Sequence, residues 1–332
     1  MVTYKDVGVD IDAATETLRR IKPLIASTFT PNVVRDVGTF GSFYALDLSA
    51  WKKPVLVSSI DGVGSKIKVA LRTGRHSTIG EDLVNHCVND IAVCGAEPLY
   101  FLDYFATGSL DPNVAEAIMQ GLTRACNACG VALVGGETAE MPDVYGHHDY
   151  DLVGTIVGVV DRDAILDGSR VKPGDVLLGI ASSGLHTNGY TLARHVLLDR
   201  KSAYRLGEGL AELDGESIED VLLRVHSCYL PLIRALRDTV HAFAHVTGGG
   251  IEGNTRRVLP EGCRISVSYN AWKRPPIFGL IQEWGAVPER DMRRTFNLGI
   301  GLVIIVAPSD MDEVIRIATM HNEVPIKIGV VK

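Results

Sequence analysis

The sequence predicts a mixed α/β protein built from two domains. Its 332 residues are 46% hydrophobic and 22% charged, which is enough apolar material for two hydrophobic cores. From residue 54 onward, short apolar runs typical of strands alternate with longer segments of helical periodicity. Polar and turn-forming residues gather over 161–175, where Lys172-Pro173-Gly174-Asp175 stands out. We therefore expect a first domain over residues 1–165 and a second over residues 166–332.

The first domain is expected to alternate strands and helices after a weakly patterned start. Residues 1–41 show no strong periodicity, and Gly38–Ser42 is compatible with an ordinary loop or with a flexible lid over phosphates. The patterns that follow predict a buried strand at Pro54–Val57, helices at Ile79–Cys94 and Pro112–Gly130, and strands at Val131–Val134 and Leu152–Val160.

The second domain is predicted to be a separate α/β unit. Its expected strands are Val176–Ala181, Ala242–Val246, Arg264–Tyr269, Leu298–Val306 and Ile326–Val331. Its expected helices are Thr191–Leu198, Ile218–Arg237, Pro276–Glu283 and Asp310–His321.

The charge balance argues against a nucleic-acid or membrane partner. The chain carries 33 basic and 40 acidic side chains, a net charge of −7, so it has no general attraction for polyanions. No apolar run approaches the ~20 residues that cross a bilayer, and no basic-then-apolar leader opens the chain. We expect a cytoplasmic protein whose phosphate binding, if any, is local.

The six cysteines suggest no metal site. Cys126 and Cys129 form a C-x-x-C pair inside a predicted helix, without a second pair or a histidine cluster at ligand spacing. Buried reduced thiols are the expected state.

The segment Ser58–Lys66 carries the chemistry of a phosphate site. Gly62 and Gly64 allow backbone N–H groups to approach phosphate oxygens, Ser65 adds a hydroxyl, and Lys66 adds positive charge. Asp61 is a ligand of the type that Mg²⁺ prefers. The segment matches neither the G-x-x-x-x-G-K-[ST] loop nor the G-x-G-x-x-G fingerprint, and a plain surface turn is the alternative.

A polar stripe follows on the helix predicted at Ile79–Cys94. Spacings of three and four place four polar residues on one face, followed directly by Asp90: Asp82, Asn85, His86 and Asn89. A solvated helix face is the ordinary explanation for such a stripe. Asp90 lies beside this polar helix face and Asp61 beside a strand end, so a shared metal site is the alternative.

A second strand with glycines and a carboxylate supports the metal-site interpretation. Val131–Val134 is followed by Gly135, Gly136, Glu137 and Thr138, which we interpret as another glycine turn. Together, the carboxylates of Asp61, Asp90 and Glu137 predict a cage for Mg²⁺ on a nucleotide.

Two loops in the second domain are candidates for an anion site. Ser182–Tyr190 places hydroxyls, an imidazole and an amide before a predicted helix, and Thr247–Gly250 repeats the arrangement with Asn254 nearby. Free N–H groups at a helix start suit a sugar phosphate. For either loop alone, a tight structural turn explains the glycines equally well. His186 is a candidate substrate contact and proton carrier, whereas we expect His245 to orient the glycine loop.

Six segments together resemble the phosphoribosylformylglycinamidine cyclo-ligase (AIR synthetase) family of purine biosynthesis. They occur in the family's order and spacing: DGVGSK, CVNDIAVCGAEPLYFLDYFATG, LVGGETAEMP, SSGLHTNGYTL, HVTGGGIEGN and RTFNLGIGL. The resemblance covers essentially the whole chain. It implies the two-domain α/β (α+β) PurM-like fold, with an N-terminal mixed-sheet domain that binds ATP and dimerises and a C-terminal α/β domain that binds the substrate. The implied reaction is ATP-dependent ring closure of formylglycinamidine ribonucleotide (FGAM), through an iminophosphate, by a cytoplasmic homodimer.

The resemblance also assigns roles to individual residues and implies ATP and Mg²⁺ as cofactors, with K⁺ as a candidate monovalent ion. The expected catalytic residues are Lys66, Asp61 and His186, and the expected metal ligands are Asp61, Asp90 and Glu137. The expected ATP and phosphate contacts are Gly62, Gly64, Ser65, Lys66, Asp82, Asn89, Gly135, Gly136 and Thr138. The expected substrate contacts are Ser183, Gly184, His186, Asn188, Thr247, Gly248, Gly249, Gly250 and Asn254. A small-molecule kinase of the thiamine-monophosphate kinase type and a nucleotide-responsive binding protein without catalysis are the competing hypotheses.

Overall fold

A computed structural model describes residues 2–38, 40–199 and 204–332 of the chain. Thr39, within the loop or lid expected at Gly38–Ser42, lies outside the described residues. The chain divides into two compact units, one formed by Met1–Ile91 and Ala96–Asp163 and the other by Ala92–Gly95 and Ala164–Lys332. In the part of the chain that the structure describes, no helix is both long and apolar enough to cross a membrane.

The first unit is built on a mixed sheet, as expected. Its described elements are α1 (Ile11–Ala26), β1 (Pro54–Gly62), α2 (Ile67–Thr73), α3 (Ser77–Ala92), β2 (Glu97–Thr107), α4 (Pro112–Cys129), β3 (Ala132–Glu140) and β4 (Tyr150–Asp161). The strand order is β1-β4-β2-β3. β4 is antiparallel to both β1 and β2, whereas β2 and β3 run parallel.

One face of this sheet is covered by helices and the other is open. Phe101 on β2 and Ile156 on β4 are fully buried, and Leu83 of α3 packs against Gly154 on the same face. On the opposite face, Leu102 and its register partner Thr155 are only half-buried. Side chains alternate between faces along a strand, so this burial pattern marks α3 as part of the cover.

Two predictions for the first unit were wrong. β1 is not a buried strand: it lies at the sheet edge with Leu56 62% exposed and Ile60 68% exposed. The weakly patterned start contains α1, whose N-terminal backbone N–H groups are capped by the Asp10 carboxylate. Its buried residues Thr17, Ile21 and Ile25 recur every four residues and share one face of the helix.

The second unit contains an antiparallel sheet in the order β6-β8-β5-β9-β7. Its described strands are β5 (Val176–Ala181), β6 (Ala242–His245), β7 (Ile265–Val267), β8 (Ile300–Val306) and β9 (Ile326–Val331). Its described helices are α5 (Tyr190–Arg194), α6 (Ile218–Leu222), α7 (Leu230–Leu236), α8 (Gly250–Thr255), α9 (Pro276–Gly285), α10 (Glu289–Thr295) and α11 (Met311–Met320). All five predicted strands are present, with ends that shift by a few residues.

The long helix predicted over Ile218–Arg237 is wrong, because the segment forms α6 and α7 with an irregular stretch between them. Pro231 lies in the first turn of α7, where its missing N–H costs nothing. Inside a continuous helix the same proline would remove a hydrogen bond and clash with the preceding turn. The irregular stretch carries Val225 and His226, which reach the second-domain loops.

Candidate active site

The predicted phosphate segment is half strand and half turn. β1 continues through Asp61 and Gly62, so the turn begins at Val63 and not earlier. Gly64 has φ +68, a left-handed conformation that a glycine adopts without strain, and it opens a single helical turn ending at Lys66. Gly64 is exposed, so its backbone is accessible to a ligand.

The polar stripe of α3 is buried, which excludes the solvated-face explanation. Asp82 and Asn89 are 0% exposed, and His86 is 4% exposed. A helix that hides polar groups must pair them, because an unpaired buried polar group costs roughly 1–3 kcal/mol. The polar residues of the stripe therefore belong to the interior of the first unit and require hydrogen-bond or ion-pair partners there.

His86 lies between two carboxylates. Its Nε2 is 2.9 Å from Asp61 Oδ2 and 3.7 Å from Asp90 Oδ2. Ser59 Oγ lies a further 3.3 Å from Asp90 Oδ2. Burial opposes a charge on the ring, but the hydrogen bond to Asp61 and the negative charge of Asp90 together raise the pKa of His86. A positive charge is thus stabilised where the sequence predicted a cation site.

Lys66 forms a buried ion pair. Its Nζ lies 2.8 Å from Oδ2 and 2.9 Å from Oδ1 of Asp82, and both side chains are 0% exposed. Burial lowers the pKa of Lys66, an effect that the Asp82 charge partly offsets. The ammonium predicted to meet phosphoryl oxygens is thus placed against a carboxylate beneath the glycine turn.

Gly135 and Gly136 do not form a turn, which corrects the sequence prediction. Both lie within β3, and Gly136 pairs with Asp103 of β2. A Cβ atom at Gly136 would lie 2.2 Å from Asp103 Oδ1, so only glycine fits there. Glycine is therefore needed at position 136 because the Asp103 side chain on the neighbouring strand lies against its backbone.

The three carboxylates predicted to form one cage are not brought together. Asp61, Gly154, Asp103 and Gly136 form one row across the sheet, whereas Glu137 is one residue further along β3 and points to the opposite face. β1 and β3 are three strand spacings apart, about 14 Å, whereas two oxygens on one Mg²⁺ lie at most about 4.2 Å apart. The described strands therefore keep Glu137, and its neighbour Thr138, out of the Asp61–Asp90 cluster.

Asp103 is a residue that sequence reasoning missed. It is 9% exposed on the helix-covered face of the sheet, and burial raises its pKa to about 7. The available signal was one carboxylate inside the apolar run of β2, with Phe101 and Phe105 on the same face. At neutral pH this side chain can exchange a proton.

In the second unit, the loop between β5 and α5 is held by its own polar side chains. Ser183 Oγ donates to the carbonyl of Val225 at 2.6 Å, and Asn297 Nδ2 donates to the carbonyl of Gly184 at 2.8 Å. His186 adopts φ +61, which is uncommon outside glycine. The loop is thus fixed in one conformation by contacts on both sides.

The glycine loop after β6 is organised by Asn254. Its side-chain amide donates to the carbonyls of Thr247 at 3.2 Å, Gly248 at 3.2 Å and Gly250 at 2.8 Å. Gly250 has φ +67, and a Cβ there would lie 1.9 Å from the Arg293 carbonyl. Asn254 therefore shapes the loop from within, while Gly248 and Gly249 stay exposed.

The two predicted second-domain loops meet directly. The backbone N–H of Gly248 donates to Asn188 Oδ1 at 3.0 Å. Three buried histidines lie beneath them, since His186 stacks on His226 at 3.9 Å and His226 Nε2 lies 2.9 Å from His245 Nε2. His226 was not predicted, because nothing in its local pattern separates it from an ordinary histidine.

Two models of one protein family match most of the chain. Residues 45–160 match the AIR synthase related protein N-terminal domain, and residues 172–332 match the corresponding C-terminal domain. The phosphoribosylformylglycinamidine cyclo-ligase of Anaeromyxobacter dehalogenans (strain 2CP-C) is 50% identical over 311 residues, which cover 93% of this chain and 89% of that protein.

Solved structures show how widely the fold is shared. Thiamine-monophosphate kinase from Stenotrophomonas maltophilia K279a has a TM-score of 0.69 at 19% identity, covering 95% of this chain and 93% of that one. The hydrogenase maturation protein HypE in complex with ATP has a TM-score of 0.66 at 19% identity, covering 98% and 88%. The fold thus defines a class of two-domain α/β proteins that includes a kinase and a maturation protein. Within that class, this chain belongs to the AIR synthase family.

Proposed function

We propose that this protein catalyses the ATP-dependent closure of formylglycinamidine ribonucleotide to 5-aminoimidazole ribonucleotide (AIR), releasing ADP and phosphate in purine biosynthesis. The observation that carries the proposal is 50% identity over 93% of the chain to a relative named for this reaction. The kinase of similar fold is only 19% identical, so its likeness supports the architecture and not its reaction.

The chemistry requires activation of an unreactive amide. The formyl oxygen of the substrate attacks the γ-phosphorus of ATP, and the bond from that phosphorus to ADP breaks. The neighbouring amidine nitrogen then attacks the activated carbon and gives up a proton, and the C–O bond to phosphate breaks as the five-membered ring closes. Because ring closure is intramolecular, the protein's contribution is mainly orientation and exclusion of water.

We assign ATP to the first unit. The exposed Gly64 turn offers backbone N–H groups to phosphates, and the Asp61–His86–Asp90 cluster stabilises positive charge. The carboxylate oxygens of Asp61 and Asp90 both lie within 3.7 Å of His86 Nε2, so they converge on one position, and they are the proposed Mg²⁺ ligands when His86 is neutral. Mg²⁺ would neutralise charge on the ATP phosphates when bound there. Glu137 is proposed as a contact outside this cluster.

The role that we propose for Lys66 differs from the direct phosphate contact that the sequence predicted. Its ammonium neutralises Asp82 beneath the turn. We propose that this pair holds the turn in the shape that phosphates require, so that Lys66 acts on ATP through the backbone of Gly64 and Ser65.

We assign the ribonucleotide to the second unit. The Asn188–Gly248 hydrogen bond joins the two loops, and the exposed backbone of Gly248 and Gly249 can accept a sugar phosphate. Ser183, Gly184 and His186 line the first of these loops. His186 is the proposed proton carrier, because imidazole transfers protons near neutral pH.

The open face of the first sheet supports a homodimer. Ile60 is 68% exposed at the sheet edge, and it continues the half-buried row of Thr155 and Leu102 across the strands. A sheet with one apolar face uncovered is completed most simply by a second copy of itself. We propose such a dimer in the cytoplasm, with no nucleic-acid or membrane partner.

One assay tests the function. Purified enzyme is given ATP, Mg²⁺ and formylglycinamidine ribonucleotide, with and without K⁺, and ADP and AIR are quantified together by chromatography. We expect equal amounts of both products and no ADP when thiamine monophosphate replaces the substrate. Phosphorylated thiamine would indicate the kinase, and ATP binding without turnover would indicate a binding protein.

The matched variant for that assay is Asp61→Asn. It removes one negative charge from the proposed Mg²⁺ ligands while keeping the side-chain shape, so turnover is expected to fall by about 10²-fold or more at saturating Mg²⁺. The control is Asp163→Asn, which changes a carboxylate that is 75% exposed. Unchanged turnover in Asp61→Asn would remove Asp61 from the metal site.

A further inference from the structure

Three buried histidines lie under the proposed ribonucleotide loops. His186, His226 and His245 are 1%, 0% and 5% exposed. His186 belongs to the loop after β5 and His245 ends β6, directly before the glycine loop. His226 comes from the irregular stretch between α6 and α7 and contacts both other rings. A role for this cluster rests on the proposed function of the two loops.

His226 has hydrogen-bond contacts at both ring nitrogens. Its Nε2 lies 2.9 Å from His245 Nε2, and its Nδ1 lies 3.4 Å from Thr187 Oγ1. Between two neutral imidazoles, one nitrogen must donate and the other must accept. If His226 donates from Nε2, His245 holds its own proton on Nδ1. If His226 accepts, the proton of His245 is on Nε2. The tautomers of the two rings are therefore coupled.

The contact to His186 works through ring packing. The His186 and His226 rings stack with centroids 3.9 Å apart and an interplanar angle of 20°. The Ser183 N–H donates to His186 Nε2 at 3.3 Å, so a neutral His186 ring carries its proton on Nδ1. His186 also has φ +61, a left-handed conformation that is strained for a non-glycine residue. The stack on His226 helps to hold the residue in that conformation.

A metal ion explains this geometry less well. Nearly parallel stacked rings direct their lone pairs side by side, whereas ligands of one ion must converge on it. Two nitrogens on a tetrahedral Zn²⁺ at about 2.05 Å are about 3.3 Å apart, which is longer than the 2.9 Å between His226 and His245. The short separation is that of a hydrogen bond.

We propose that His226 is a positioning residue for ring closure. It sets which nitrogen of His245 carries the proton, and it supports the His186 ring in the loop that binds the ribonucleotide. His226 acts through its two neighbours and does not itself touch the substrate. Its expected signature is a loss of turnover accompanied by a changed tautomer at His245.

Two variants of His226, with one control, separate hydrogen bonding from packing. His226→Phe keeps a flat ring for the stack on His186 but removes both hydrogen bonds. His226→Gln places an amide near the position of Nε2 and can restore the bond to His245. The control is His321→Phe, which changes an exposed histidine at the end of α11. Unfolding curves for all variants establish that each is folded before kinetics are measured.

Steady-state kinetics and nitrogen-15 spectra test whether His226 is a positioning residue. In His226→Phe we expect kcat to fall by ~10-fold or more with the KM for ATP unchanged, and His226→Gln to recover kcat to within ~3-fold of wild type. Nitrogen-15 spectra of histidine-labelled protein should show His245 changing its protonated nitrogen in His226→Phe and not in His321→Phe. If His226→Phe does not fold, His226→Gln and the wild-type spectrum still report the His226–His245 bond.

The proposal would be overturned by wild-type turnover in His226→Phe, or by a His245 tautomer that is the same with and without His226. Stoichiometric zinc in the wild-type protein that disappears in His226→Gln would also overturn it, in favour of a metal centre. The tautomer measurement needs no turnover, so it stays decisive even if the wild-type enzyme does not form AIR. In that case the proposed function fails and the histidine coupling is judged separately.

Discussion

Lys66 Nζ and Asp82 Oδ2 lie 2.8 Å apart with both side chains fully buried. Removing one member of such a pair leaves an uncompensated charge in the core, which typically costs 3–5 kcal/mol. We therefore expect Lys66→Ala to lower the free energy of unfolding by about 3–5 kcal/mol in denaturant titrations. The exposed pair of Lys53 and Asp163 is the control, and Lys53→Ala should cost at most about 1 kcal/mol.

The double variant Lys66→Met with Asp82→Leu sharpens this test. Replacing both charges by apolar groups should recover most of the lost stability, because a buried ion pair contributes little beyond mutual compensation. If Lys66→Ala were as stable as the wild type, the ammonium would not be committed to Asp82, and a direct contact with phosphate would be favoured.

The buried carboxyl of Asp103 predicts a pH-dependent stability. Its pKa is raised from 3.8 to about 7 in the folded state, so the folded protein holds a proton that the unfolded chain releases. The free energy of unfolding should therefore decrease as pH rises from about 4 to about 7 and level off above that. Asp103→Asn should remove this slope and be more stable than wild type above pH 7, by on the order of 1–4 kcal/mol.

Denaturation in metal-free buffer at pH 4.5, 6 and 8 measures the effect of Asp103. Asp163→Asn, at a largely exposed position, serves as the control and should follow the wild-type pH dependence. A slope that persists in Asp103→Asn would assign it to another group.

The open sheet face predicts dissociation of the dimer by a single charge. Ile60→Lys places an ammonium on the exposed row of the first sheet, where burial against a second copy would be costly. We expect light scattering to report a dimer for wild type and a monomer for Ile60→Lys. Val324→Lys, at a residue that is 74% exposed in the second unit, should stay dimeric. A monomeric wild type, or a dimer in both variants, would contradict this interface.

The assignment of the ribonucleotide to the second unit predicts a selective kinetic change. Asn188 holds the two loops together by accepting from the Gly248 N–H at 3.0 Å. Asn188→Ala should raise the KM for the ribonucleotide by about 10-fold or more while changing the KM for ATP less than about 2-fold. Asn270→Ala, at an exposed position of the same unit, is the control. An effect on ATP alone would move this loop to the nucleotide site.

The strands and the site loops could be predicted because their signals are local. Apolar runs bounded by turn residues predicted β4, β5 and β9, and glycines beside hydroxyls and amides predicted both loops of the second unit. Local signals do not predict contacts between residues that are far apart in the sequence. The glycines at 135–136 suggested a turn, but the structure shows that Gly136 makes room for Asp103 on another strand.

The same limit explains the remaining errors. The spacing of the polar residues in α3 correctly placed them on one face of the helix. It did not show that this face is buried, because spacing does not reveal what packs against a helix face. Glu137 matched Asp61 in local context, yet the pairing register of the strands places them on opposite faces of the sheet. His226 became visible only when the fold brought its ring against His186 and His245.

The central claim is that ATP activates the formyl oxygen by phosphorylation before the ring closes. The most direct measurement follows that oxygen atom. Formylglycinamidine ribonucleotide labelled with ¹⁸O at the formyl position is converted by the enzyme, and the released phosphate and water are examined by mass spectrometry. The account predicts that each AIR formed is accompanied by one phosphate carrying the label. Unlabelled phosphate, with the label released into water, would contradict it.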